Sequence, residues 1–201
     1  MTLNVNEIFY SIQGEGYHSG SPATFIRLAG CNLACHFCDT RHTVPSIPMT
    51  PQAIVDEVKQ YPAELVIITG GEPSLQPLSL LVDMLHEAAR RVHIETNGTR
   101  PLPHSIDWIT CSPKKATAES PLRIPYYVHP SILHRADELK LVYDPEGPDP
   151  DSIAARFHHP LLYLQPMALD GSDNAPATVA YILSHPHWRL SAQIHRLLNF
   201  R

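Results

Sequence analysis

Short apolar runs separated by turn-forming residues recur along the chain, at Thr24–Leu28, Glu64–Ile68, Val92–Glu95, Asp107–Thr110, Glu138–Val142, Leu161–Leu164 and Arg189–Gln193. Runs of this length, bounded by turn signals, predict strands. Most read as near-continuous apolar segments, the pattern of strands buried on both faces of a parallel sheet. Helical periodicity falls between several of them. Thr50 and Pro51 supply an N-cap and a first helical position, and Ile54, Val55 and Val58 follow on one face. Pro77 opens a second helix with a Leu78, Leu81, Leu85 stripe. Asp149–His158 and Asn174–His185 carry weaker helical patterns, and Lys115–Ala136, without a period and with three Pro, reads as a long loop. Alternating strand and helix predicts an α/β fold with right-handed crossovers.

The 201 residues fit one domain, taken as 1–201, and no internal repeat divides them. Lys and Arg total 15 against 20 Asp and Glu, a net charge of −5, which argues against a broad nucleic-acid or anionic-membrane surface. The start, MTLNVNEIFYSIQGEG, lacks the basic and apolar regions of a signal peptide. Apolar stretches such as Leu65–Ile68 and Leu80–Leu85 fall short of the roughly 18 residues of a membrane span. The expectation is a cytoplasmic protein. The 20 Pro sit largely in connections, where they stiffen short loops.

One feature of the composition points to chemistry. Of four Cys, three lie within the eight residues Cys31–Cys38, spaced C-x3-C-x2-C after the predicted strand Thr24–Leu28. The C-terminal end of a parallel strand is where sites assemble. In a reducing compartment, clustered thiols bind metal or do chemistry more often than they pair. Three thiolates on a tight loop can hold three irons of a [4Fe–4S] cube and leave the fourth iron open. The competing reading is a zinc site built from the three Cys with His36 or His42, although the repeated C-x2-C pairs usual for zinc are absent. Cys111, at a strand end, reads as a small core hydrophobe. His158, His159, His185 and His187 read as surface loop residues.

The cysteine spacing, with Phe37 before the last Cys, resembles the radical S-adenosylmethionine (SAM) signature. Ile68-Thr69-Gly70-Gly71-Glu72-Pro73 is similar to that superfamily's GGEP segment, and a glycine pair suits close approach of backbone to a ligand. Tyr10-Ser11-Ile12-Gln13-Gly14-Glu15-Gly16, Phe25-Ile26-Arg27-Leu28, Cys38-Asp39-Thr40, Glu95-Thr96-Asn97-Gly98, Ser112-Pro113-Lys114, Leu139-Lys140, Gln165-Pro166-Met167 and Gln193–Asn199 together resemble the 7-carboxy-7-deazaguanine synthase family, in the same order over nearly the whole chain.

The resemblance implies a modified partial (β/α)6 barrel with a reduced helix count. It implies a [4Fe–4S] cluster on Cys31, Cys35 and Cys38, with SAM as cofactor. The activity implied is conversion of 6-carboxy-5,6,7,8-tetrahydropterin to 7-carboxy-7-deazaguanine with release of ammonia, toward queuosine and related deazapurines. Substrate contacts then fall on Ile12, Gln13, Gly14, Arg27, Thr69 and Arg201, with Thr40 on Mg²⁺. A guanidinium fork at Arg27 suits a carboxylate, and a hydroxyl is a hard oxygen donor suited to Mg²⁺. SAM contacts fall on Phe37, Cys38, Asp39 and Gly71, on Ser112, Pro113 and Lys114, and on Gln165, Pro166, Met167 and Ala168. The expected partners are a flavodoxin or ferredoxin-type reductant and a second copy of the chain, since strands without covering helices leave apolar surface. Two other readings remain at this stage. A glycyl-radical-enzyme activase shares the cluster and the short length but acts on a protein. A non-enzymatic zinc-binding module would need no SAM.

Overall fold

In the computed structural model, residues 1–38, 45–116, 120, 124–169 and 172–200 are described. Strands β1 (Leu3–Ile12) and β2 (Pro22–Leu28) form an antiparallel pair, and β3 (Ile47–Met49) flanks β1. Helix α1 (Pro51–Val58) leads to β4 (Leu65–Gly70), and α2 (Ser79–Glu87) leads to β5 (Arg91–Thr96). Next come β6 (Trp108–Cys111), α3 (Pro130–Arg135), β7 (Glu138–Tyr143), α4 (Pro150–Ala154) and β8 (Leu161–Pro166). A small hairpin of β9 (Ala168–Leu169) and β10 (Ser172–Asp173), α5 (Ala175–Ser184), β11 (Arg189–Leu190) and α6 (Ile194–Leu197) complete the described order.

The main sheet is open, ordered β11-β8-β7-β6-β5-β4-β2-β1-β3, with β2, β4, β5, β6, β7, β8 and β11 parallel. Six full parallel strands make the expected partial barrel. The antiparallel β1 and β3 extend the sheet at one edge. Six helices are present among the described residues, more than the alternation alone suggested, but α1, α2 and α5 alone exceed six residues.

Helix α1 begins as its sequence dictates. Thr50 Oγ1 accepts from Ala53 N at 3.2 Å, Pro51 occupies the first turn, and Ile54, Val55 and Val58 are buried. Helix α2 starts at Ser79, two residues past Pro77, and buries Leu81, Val82 and Leu85 on the sheet. These side chains join Ile26, Leu28, Val66, Ile68, Val92, Ile94, Leu139 and Leu164 in the main core.

Several expectations change. The strands are not apolar on both faces. Val92 and Ile94 on β5, and Leu139 and Leu141 on β7, face the helices. The intervening His93, Glu95, Glu138 and Lys140 are buried polar groups or wall residues of a cavity on the other face. Period-two alternation was therefore present where a continuous run was read. Strand β1 had no apolar signal because Asn4, Asn6 and Glu7 interrupt it and a bulge lies between Val5 and Glu7. The 115–136 stretch contains α3, started by Pro130 and capped by His129. The predicted strand Arg189–Gln193 shrinks to β11, because Ser191 turns its backbone and side chain toward β8. The predicted helix Asp149–His158 shrinks to α4.

Candidate active site

A cavity of about 300 Å³ opens inside the curved sheet, at the C-terminal ends of its parallel strands. One wall is the cysteine loop. Cys31, Cys35 and Cys38 all line the cavity, while Cys111 lies fully buried on the helix-facing side with Gly98 pressed against its Sγ. The Cys111 thiol is pushed well above its usual value by burial. Burial also pushes up Cys31 and Cys35, and the neighbouring thiolates repel each other further. Cys31 and Cys35 are therefore held as thiolates only beside positive charge, as iron would provide. Among the described residues, no three His, Cys, Asp or Glu side chains converge as ligands of a single metal ion. A lone zinc needs that convergence, whereas a cube takes one thiolate on each of three irons. His42 of the zinc reading lies outside the described residues. The donors present fit a cube with an open iron.

The loop is held by contacts that the motif does not reveal. Asn32 Nδ2 donates to Thr99 Oγ1 at 2.8 Å and Asn32 Oδ1 accepts from Asn97 Nδ2 at 2.9 Å. Ala34 N donates to Ser120 Oγ at 3.1 Å. Glu72, fully buried, accepts from Asn97 N at 2.6 Å, from Thr96 Oγ1 at 2.8 Å and from Ser74 N at 2.9 Å. One carboxylate thus ties the end of β4 to the end of β5. The Asn97 side chain is taken up by Asn32 and Thr99.

The glycine pair also has a cause within the fold. Gly70 has φ +138°, and a Cβ there would strike the Leu28 backbone; at Gly71 it would strike the Gly30 carbonyl. Gly71 N donates to Leu28 O and Glu72 N to Gly30 O. The pair lets the end of β4 press onto the root of the cysteine loop. Gly71 also lines the cavity.

The structure brings most of the other sequence-derived candidates to the same cavity. Ile12, Gln13 and Gly14 follow β1, Arg27 lies on β2 and Thr69 on β4, all lining the cavity. Arg27 Nε donates to Glu7 Oε1 at 2.7 Å, and its guanidinium lies 5.8 Å from the Phe9 ring centre. Gly14 sits against the ring and backbone of His195, whose chain joins the cavity lining through α6. Phe37, Ser112, Lys114, Gln165, Pro166 and Ala168 also line the cavity. Lys114 Nζ donates to Ser112 O at 2.7 Å, and burial lowers its pKa. Pro113 and Met167 are buried but do not line the cavity; the Met167 amide is bound to Asn174 Oδ1. Asp39, Thr40 and Arg201 lie outside the described residues.

The floor of the cavity is a charge cluster. Lys140 Nζ lies 2.7 Å from Glu15 Oε2 and 2.9 Å from Glu95 Oε2. Gln193 Nε2 donates to Glu15 Oε1 at 2.8 Å, and Gln13 Nε2 donates to Glu95 Oε1 at 3.2 Å. Burial opposes ionisation of Glu15, but Lys140 and Gln193 outweigh it and bring its pKa to about 2. Burial raises Glu95 to about 7, against the pull of Lys140 and with the push of Glu15 and Glu138. Glu138 is raised by burial. Burial would lower Lys140, yet the three carboxylates hold it far above the usual lysine range. Lys140 interrupts the apolar run Glu138–Val142, and its partners lie 125 and 45 residues away along the chain.

A thiol loop at the mouth of a six-stranded half-barrel with a polar interior defines a class. The model of the radical SAM superfamily matches residues 25–110, from within β2 to β6. The chain is 49 % identical to the 7-carboxy-7-deazaguanine synthase of Bacteroides thetaiotaomicron over 201 residues, covering 100 % of both chains. It is 38 % identical to the 7-carboxy-7-deazaguanine synthase of Neisseria meningitidis, covering 94 % of this chain and 90 % of that one. The crystal structure of QueE from Escherichia coli is similar with a TM-score of 0.77 at 30 % identity, covering 96 % of this chain and 94 % of that one. The chain belongs to the 7-carboxy-7-deazaguanine synthase family.

Proposed function

We propose that this protein converts 6-carboxy-5,6,7,8-tetrahydropterin to 7-carboxy-7-deazaguanine with release of ammonia, as a radical SAM enzyme of queuosine and deazapurine biosynthesis. The observation that carries the reading is the convergence of Cys31, Cys35 and Cys38 with Gln13, Arg27 and Thr69 on one cavity. When bound, the cluster and SAM supply the one-electron chemistry that removes a hydrogen from the substrate.

The chain's residues divide the remaining work. Cys31, Cys35 and Cys38 would hold the cluster, leaving a position for SAM. Phe37, Gly71, Ser112, Lys114, Gln165 and Ala168 are assigned to SAM, which their place in the cavity lining supports. Arg27 receives the substrate carboxylate; Glu7 and the Phe9 ring fix its guanidinium, which reduces the rotamer freedom lost on binding. Ile12, Gln13, Gly14 and Thr69 present amide, backbone and hydroxyl groups to the pterin edge. Thr40 is assigned to Mg²⁺, together with the substrate carboxylate, and Arg201 to the substrate through the C-terminus. A flavodoxin or ferredoxin-type protein delivers the electron. The cytoplasm is the proposed compartment; among the described residues no helix is long and apolar enough to cross a membrane. A homodimer is the proposed assembly, consistent with exposed Leu183, Leu190, Leu197 and Leu198.

The test is anaerobic reconstitution, then incubation with SAM, reductant, Mg²⁺ and carboxytetrahydropterin. The expected result is a brown protein with about four irons per chain and deazaguanine product. SAM cleavage without that product would point instead to activation of a protein substrate. Stoichiometric zinc without sulfide would overturn the reading.

A further inference from the structure

The inference concerns proton traffic beneath the site, and it rests on the proposed reaction. The nitrogen that leaves as ammonia carries one hydrogen in the tetrahydropterin, so protons taken from ring carbon must reach nitrogen. Protonating that ammonia to ammonium inside the cavity would draw one further proton from solvent. A cavity group that takes and gives protons, joined to water by a path, serves both transfers.

Glu95 stands where such a group is needed. It is on the inner face of β5 and lines the cavity. Two residues earlier on the same face, His93 Nε2 lies 3.7 Å from Glu95 Oε1 and 2.9 Å from Thr110 Oγ1. The His93 ring centre lies 5.2 Å from that of His18, a half-buried residue packed on Trp108 and Tyr17. His93 Nδ1 and His18 Nε2 are both buried without a hydrogen-bond partner. Buried ring nitrogens are ordinarily satisfied, so two orphans in adjacent rings call for a reason. Structural packing needs no nitrogen there, whereas a relay needs both.

We propose that Glu95 exchanges protons with the substrate ring, and that His93 and His18 connect it to solvent. Releasing the nitrogen breaks two C–N bonds and moves two ring hydrogens onto it; the one-electron chemistry of the proposed reaction would account for one bond and one hydrogen, and Glu95 serves the other. There a ring C–H bond breaks with its electron pair left in the ring and its proton passes to a Glu95 oxygen; the remaining C–N bond breaks with its pair on nitrogen, which takes that proton from the same carboxyl group and leaves as ammonia. The further proton that makes ammonium enters from water through His18 and His93, each ring accepting at one nitrogen as it releases from the other.

The surroundings tune Glu95 for the task. Glu15 and Gln13 face it from the segment after β1, Lys140 and Glu138 from β7, His93 from its own strand and Lys114 from the segment after β6. Burial and the two carboxylates offset Lys140 and leave Glu95 near 7, where it both accepts and donates. Burial, then His18 and Lys140, keeps His93 neutral, and burial with Arg91 lowers His18. A neutral imidazole can take a proton on one side while giving one on the other.

Three variants of the reconstituted enzyme test this, with SAM cleavage and deazaguanine formation measured separately against pH. Glu95→Gln is expected to keep SAM cleavage, to lose ~100-fold or more in product formation, and to lose the wild-type pH limb near 7. His18→Ala and His93→Phe are expected to slow product formation several-fold, and imidazole in the buffer is expected to restore His18→Ala. Infrared titration of the unloaded wild-type protein should show a carboxyl group protonating near pH 7 that Glu95→Gln lacks. Unchanged product formation in Glu95→Gln overturns the proposal. So does His18→Ala that cleaves SAM but gains nothing from imidazole. Wild-type enzyme that makes no deazaguanine would instead defeat the proposed function, so the two failures are separable.

Discussion

Lys140→Met removes the cation on which Glu15 and Glu95 converge at 2.7 and 2.9 Å, while keeping most of the apolar stem. The carboxylates are then left in a buried floor without their partner. Breaking such a buried pair costs about 3–5 kcal/mol. Glu15 gives an independent measure, since the fall of its pKa from 4.5 to about 2 corresponds to roughly 3 kcal/mol. That stability is present above pH 4.5 and is lost as pH falls toward 2. Without Lys140, both carboxylates hold protons more tightly in the folded state. The folded variant therefore binds more protons than folded wild type between pH 5 and 8, and its relative stability falls as pH rises through that window. Urea unfolding of both proteins near pH 5.5 and near pH 8 checks this. The expected loss is about 3–5 kcal/mol at the higher pH, a Tm shift of about 10 °C, and clearly less at the lower pH. An equal loss at both values, or a variant as stable as wild type near pH 8, would refute the electrostatic account of the floor.

Two further predictions follow from the cysteine wall. Cys31→Ala, Cys35→Ala and Cys38→Ala each lose the cluster, read by iron and sulfide content, whereas Cys111→Ala retains it, because its thiol faces the core beside Gly98. Glu72→Gln sets an amide donor against the Asn97 N–H or the Thr96 hydroxyl, both now bound by the carboxylate. It is expected to cost about 2–3 kcal/mol, read by urea unfolding, and to loosen the β4 and β5 ends, read as faster amide exchange at Asn97.

The partial barrel was legible because its evidence is local. Thr50-Pro51 and the Ile54, Val55, Val58 face specify α1 within a few residues, and the apolar cores of β2, β4 and β8 stand out in the same way. Strand β1 was not legible, since its Asn and Glu are accommodated by a bulge and by pairing with β2. The polar inner face of β5 and β7 is masked within apolar runs, because buried charge is rare and becomes tolerable only when paired. The pairing of Lys140 with Glu15 is a contact across 125 residues.

By itself, the sequence determined the C-x3-C-x2-C loop, its place after a strand, the Gly70-Gly71-Glu72 segment and the order of alternating elements, since covalent spacing and local preference carry them. Tertiary structure alone decided that Gly70 and Gly71 are demanded by the Leu28 and Gly30 backbone, that Glu72 locks two strand ends together, and that Glu15, Glu95 and Lys140 share a floor above His93 and His18. Those facts depend on which distant groups are brought within a few ångströms inside a low-dielectric cavity, and Coulomb energy there varies with distance and burial rather than with position along the chain.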